Sequence, residues 1–88
     1  MSDELYQAVR FMVEADTSPC LLPRLLQPFA RRDLIPDRMW AACDNDGGTH
    51  VEIAVLAISI DDARLVEGNL RQIVGVRTVT PVRRNGCS

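Results

Sequence analysis

The stretch Asp44-Asn45-Asp46-Gly47-Gly48, with Thr49 to Ile58 directly after it, constrains this chain more than any other. Two glycines and three residues that tolerate a left-handed backbone make a tight hairpin turn. After the turn, Val51, Ile53, Val55 and Ala57 form one face, and His50, Glu52, Ala54, Leu56 and Ile58 the other. A period of two is the mark of a strand. The second half of this strand is apolar on both faces, which predicts a central position in a sheet. A hairpin needs a strand before it. Met39, Ala41 and Cys43 alternate there with Arg38, Trp40 and Ala42, although helix propensity leaves a helix open for the same residues.

The rest of the chain arranges itself around this hairpin. Leu5 to Ala15 reads as a first strand, with Val9, Phe11 and Val13 alternating with Arg10, Met12 and Glu14. Asp16 to Ser18 are turn formers. A helix follows, with Leu22, Leu25, Leu26 and Phe29 on one apolar stripe and Arg24, Gln27, Arg31 and Arg32 on or near the other side. Pro19 suits the turn and Pro23 an early helical position. Pro28 sits deep enough to delete a backbone hydrogen bond, so a kink is expected near Arg24 to Pro28. Asp33 to Asp37 ends the helix.

Past the hairpin, Ser59 reads as an N-cap with Asp62 three residues on, in the spacing of a capping box. The second helix runs to about Ile73 on a stripe of Ala63, Val66, Leu70 and Ile73. Gly68 weakens it by roughly 1 kcal/mol, and Gly75 is placed to stop it. Val76 to Arg83 is the last strand, which Pro81 marks as an edge, and residues 85–88 read as a loose tail. The order is βαββαβ. Right-handed crossovers turn that order into an α+β, ferredoxin-like sandwich: a four-stranded antiparallel sheet with two helices on one face.

At 88 residues the chain reads as a single domain over 1–88, with a core at about 5–83. A domain this small has a thin stability margin, which favours pairing with a second copy. The net charge of −2 speaks against nucleic-acid binding. The acidic start Met1-Ser2-Asp3-Glu4 is unlike a signal peptide, and the apolar run Ile53 to Ile60 is too short to span a bilayer, so a cytoplasmic, non-membrane protein is expected. The three cysteines, Cys20, Cys43 and Cys87, contain no close pair. They suit neither a disulfide framework nor a zinc site. His50 is the only histidine. No Ser/His/Asp or Cys/His set can be assembled, so no catalytic residue, metal or cofactor is expected, and His50 reads as a surface residue beside the hairpin.

The stretch with the most chemical promise is Asp16-Thr17-Ser18-Pro19-Cys20-Leu21-Leu22. A strand-to-helix turn puts a row of backbone N–H groups at a helix N-terminus, where a carboxylate can sit. The alternative is a plain helix start without a ligand. Cys20 is either a thiol activated by the helix end or a small apolar filler. Trp40 and Met12 fall on the polar faces of their strands. If that sheet face is open, they mark a partner surface.

The same turn carries a resemblance. Thr17-Ser18-Pro19-Cys20-Leu21-Leu22 resembles the opening turn of the ACT domain, roughly Asp/Asn-any-Pro-Gly-any-Leu, with Cys20 on the family's glycine and Thr17 on its Asp/Asn. Arg24-Leu25 and Phe29-Ala30-Arg31-Arg32 resemble the family's helix, and Asp33-Leu34-Ile35 stands where it has a glycine and the next strand's start. Phe-Ala-Arg-Arg, and Leu70-Arg71-Gln72-Ile73-Val74-Gly75-Val76, look like the regulatory small subunit of acetolactate synthase, a branched-chain amino-acid biosynthetic enzyme. The resemblance implies a regulatory homodimer that binds an amino acid through the amides of Asp16 to Leu22, alongside a larger catalytic subunit. The other reading is a ligand-free structural or interaction module of the same fold.

Overall fold

The computed structural model describes residues 6–84. Leu5 and the tail at 85–88 lie outside them. The elements run β1 (Tyr6–Asp16), α1 (Leu21–Ala30), β2 (Arg38–Cys43), β3 (Gly48–Ser59), α2 (Ile60–Arg71) and β4 (Val76–Arg84). The sheet is four-stranded and antiparallel in the order β2-β3-β1-β4. This is the expected βαββαβ ferredoxin-like sandwich. Residues Arg38 to Cys43 form a strand, so the helical alternative there is excluded.

One face of β1 and β3 builds the core. Val9, Phe11, Val13 and Ala15 pack with Val51, Ile53 and Val55, beneath Leu21, Leu25 and Phe29 of α1 and Ala63, Val66 and Leu70 of α2. Phe11 and Phe29 meet edge to face at 5.7 Å. Each such fully buried side chain contributes roughly 1.5–3 kcal/mol. The alternate residues of β1 and β3 point to the uncovered face, which carries Arg10, Met12, Glu14, His50 and Glu52.

Four expectations need correction. The buried stripe of α1 is Leu21, Leu25, Pro28 and Phe29, while Leu22 is 40% exposed. The helix therefore begins one residue earlier than the Leu22 stripe implies. It also runs unbroken through Pro28, whose ring is buried in the core. On β3, Ala57 is exposed and Ile58 is buried, the reverse of a straight alternation. Gln7 faces Ile58 but Val9 faces Val55, so β3 carries one extra residue, a β-bulge that flips the face. Asp37 holds the bulge: Leu56 N–H donates to its Oδ2 at 2.6 Å, and its own N–H donates to the Ala54 carbonyl at 2.8 Å. Finally, α2 ends at Arg71, not Ile73.

The caps follow the sequence more closely. Ser59 Oγ accepts from Asp62 N–H at 3.1 Å. Past α1, Asp33 takes φ 56° while Leu34 N–H reaches back to the Phe29 carbonyl at 2.9 Å. That is a Schellman-type stop with an aspartate in the place where glycine is usual. Pro81 lies on β4, which pairs only with β1 and is an edge, as its sequence implies.

Candidate functional site

The β1–α1 turn lies where three connections meet. Asp16 N–H donates to the Gly75 carbonyl at 2.8 Å, and Thr17 N–H to the Gly47 carbonyl at 2.9 Å. Both glycines have positive φ, 96° and 85°, a conformation open to them at no steric cost. The Thr17 hydroxyl hydrogen-bonds the Thr49 hydroxyl at 2.6 Å, and the Cys43 thiol lies 3.6 Å beyond on Thr49. Thr49 is the buried polar residue among those described, and the turn satisfies it. Sequence reasoning missed Thr49 and Cys43; only the register Ala15–Thr49–Cys43 brings them to the turn.

The amides divide into two groups. Those of Asp16 and Thr17 are used by the neighbouring loops. Leu21 N–H is used by the Ser18 carbonyl at 3.2 Å. The N–H groups of Ser18, Cys20 and Leu22 donate to no acceptor among the described residues. Pro19 and Pro23 have no N–H to offer. Cys20 is the N-cap without a side-chain cap bond, and no acidic residue sits in the first helical turn. The positive end of α1 is thus left uncompensated by the chain itself.

The side chains are equally distinct. Leu21 is in the core. Thr17, Ser18, Pro19 and Cys20 are exposed. Asp16 is engaged by Arg77, whose Nε lies 2.8 Å from its Oδ1. A second bulge explains this contact: Glu14 faces Thr78 but Ala15 faces Val76, so Arg77 is the extra residue of β4. Cys20 has φ −95°, so the cysteine sits there without backbone strain.

A family model described as an ACT-like domain matches residues 2–84. The chain belongs to the ACT-like domain family. No curated protein matches it. Among solved structures, the ACT domain of a GTP pyrophosphokinase from Chlorobium tepidum is similar, at TM-score 0.74 and 13% identity over 88% of this chain and 99% of that one. The C-terminal domain of the MgtC protein from Mycobacterium tuberculosis is similar at TM-score 0.73 and 13% identity, over 100% of this chain and 98% of that one. A homoserine dehydrogenase from Thiobacillus denitrificans matches at TM-score 0.76 and 13% identity over 94% of this chain, which spans only 19% of that enzyme. At such identities the likeness is one of fold. The reading of the β1–α1 turn therefore rests on its own geometry.

Elsewhere, the chain offers less. A surface hollow of about 350 Å³ is lined by Asp33, Leu34, Ile35, Asp37 and Val55 to Ala57, at the other end of β3 from the β1–α1 turn. It is shallow, and Asp33 and Asp37 set two carboxylates among its apolar residues. Cys20 and Cys43 are both free and exposed. Among the described residues no group of His, Cys, Asp and Glu is placed to hold a metal ion, and no helix is long and apolar enough to cross a membrane. On the open sheet face Trp40 is 56% exposed and Met12 half-buried. Both register opposite Glu52, so the apolar pair is divided by a charge. His50 is more than a surface residue: its ring is held between Glu14 and Glu52.

Proposed function

We propose that this ACT-like domain is a regulatory, amino-acid-sensing module that takes the ligand's carboxylate at the N-terminus of α1. One observation carries the reading: the N–H groups of Ser18, Cys20 and Leu22 have no acceptor among the described residues, at an uncapped helix end. The ACT family is generally regulatory and amino-acid-binding. Asp16, Thr17 and Pro19 shape the turn, and Leu21 anchors it in the core.

The turn is a surface feature of one copy. A second copy would enclose it, and β2 offers a free edge whose Met39, Ala41 and Cys43 are exposed on the helix side. We therefore read the working unit as a homodimer. The Phe29-Ala30-Arg31-Arg32 helix end favours a larger catalytic partner of the acetolactate synthase kind, in branched-chain amino-acid biosynthesis, in the cytoplasm. A thermal-shift screen with the twenty amino acids tests the ligand: a shift with one or a few supports the reading, and no shift with any defeats it.

A ligand-free interaction module of the same fold is the second reading. Arg77 on Asp16 favours it, because the carboxylate nearest the turn is already neutralised. Co-purification with a catalytic subunit, without any amino-acid effect, would select it.

A further inference from the structure

The open sheet face carries a cluster that the ligand turn does not use. His50 Nδ1 lies against Glu14 of β1, and Nε2 lies 2.9 Å from Glu52 of its own strand. Carboxylate oxygens only accept, so a ring with one on each nitrogen holds both contacts only when both nitrogens carry hydrogen. The ring and Trp40 of β2 meet in a T-shaped arrangement, centroids 5.7 Å apart. Arg10 of β1 lies 3.8 Å from Glu52. Arg38 of β2 stands in the next cross-strand row, opposite Ala54, and β4 contributes uncharged Thr78 to the row of Glu14 and His50. Hydrogen bonds from Glu52 and then Glu14 raise the His50 pKa above its ordinary value, against a smaller opposing effect of burial.

The cluster lies directly behind the ACT turn. Glu14 pairs with His50, and the next pair along, Ala15 with Thr49, carries the hydroxyl that binds Thr17. We propose that His50 is a proton-operated clamp: charged, it ties β1 to β3 through Glu14, with Glu52 of its own strand steadying the ring, and fixes the spacing that holds Thr17 on Thr49; uncharged, it keeps Glu52, releases Glu14 and loosens the turn. The step is a plain acid–base exchange. The ring gives one proton to water, the bared nitrogen lone pair then faces a carboxylate oxygen, and that arm opens.

The test uses the chain's only histidine and only tryptophan. Nitrogen NMR of the ring should show a titration midpoint above the free-histidine value of about 6.5, with both nitrogens protonated on the acid side of it. Glu14→Gln and Glu52→Gln should each lower that midpoint by about half a pH unit or more. The Thr17 amide resonance and Trp40 emission should follow the same curve and lose it in His50→Gln. A midpoint at or below about 6.5, a midpoint untouched by both glutamine variants, or a Thr17 amide blind to the titration would each overturn the clamp. Its bearing on ligand affinity rests on the amino-acid reading above. The twenty-amino-acid thermal screen repeated at about pH 6 and about pH 9 separates the two: silence at both pH values removes the ligand and leaves the clamp to the NMR result.

Discussion

Asp33 shows how a single residue can sit against its own preference. It holds φ 56° at the end of α1, where an L-residue meets a steric penalty and glycine does not. Asp33→Gly should therefore stabilise the fold by about 0.5–1 kcal/mol after the entropy of a freer unfolded chain is counted, seen as a midpoint raised by a few degrees in thermal denaturation, about 4–8 °C per kcal/mol for a domain of this size. His50 is the second informative residue. Its pKa is raised in the fold, so the folded state holds that proton more tightly than the unfolded chain does. Its contribution to stability is fully present below the ordinary value of 6.5 and is lost as the pH rises through the folded value. Between about pH 6 and about pH 9, wild-type stability should fall relative to His50→Gln, measured as the difference between their denaturant midpoints.

At the scale of elements, the sequence showed most of the architecture and missed what depends on register. Glycine pairs, caps and periodicity are local, so the hairpin at Gly47-Gly48, the Ser59 cap and the stripe Ala63, Val66, Leu70 could be read directly. The bulge in β3 could not. It depends on Asp37 reaching the Leu56 amide across the sheet, and nothing in Leu56-Ala57-Ile58 announces it. The Glu14–His50–Glu52 set was half visible, since His50 and Glu52 share a face at a spacing of two, but Glu14 joins them only through cross-strand pairing. Of the candidate site, the turn was legible and its free amides were not, because Asp16 and Thr17 lose theirs to loops distant in sequence. The bulge also makes a sharp contrast between neighbours. Ile58→Ala should cost about 2–5 kcal/mol as a core truncation, whereas Ala57→Ser should stay within about 0.5 kcal/mol. A straight strand would give the opposite order, and urea denaturation of the two variants decides it.

For the whole molecule, the uneven cover of the sheet matters most. The helices cover β1, β3 and, through α2, β4, leaving the helix side of β2 with Met39 and Ala41 exposed beside a free strand edge. On the dimer reading, light scattering should find two copies at micromolar concentration, and Ala41→Lys should return the protein to one copy with its circular dichroism unchanged. A single copy in the wild type would remove the enclosed form of the site. The stitching of three loops at one end of the sheet has a consequence of its own. Gly75 and Gly47 hold the amide hydrogens of Asp16 and Thr17, while those of Ser18, Cys20 and Leu22 donate to no acceptor among the described residues. In heavy water the boundary between retained and lost protons should therefore fall between Thr17 and Ser18, a single peptide unit wide, with the bonded Leu21 amide the exception beyond it. A bound anion would push that boundary toward Leu22, so deuterium uptake along these few residues would trace the ligand's footprint.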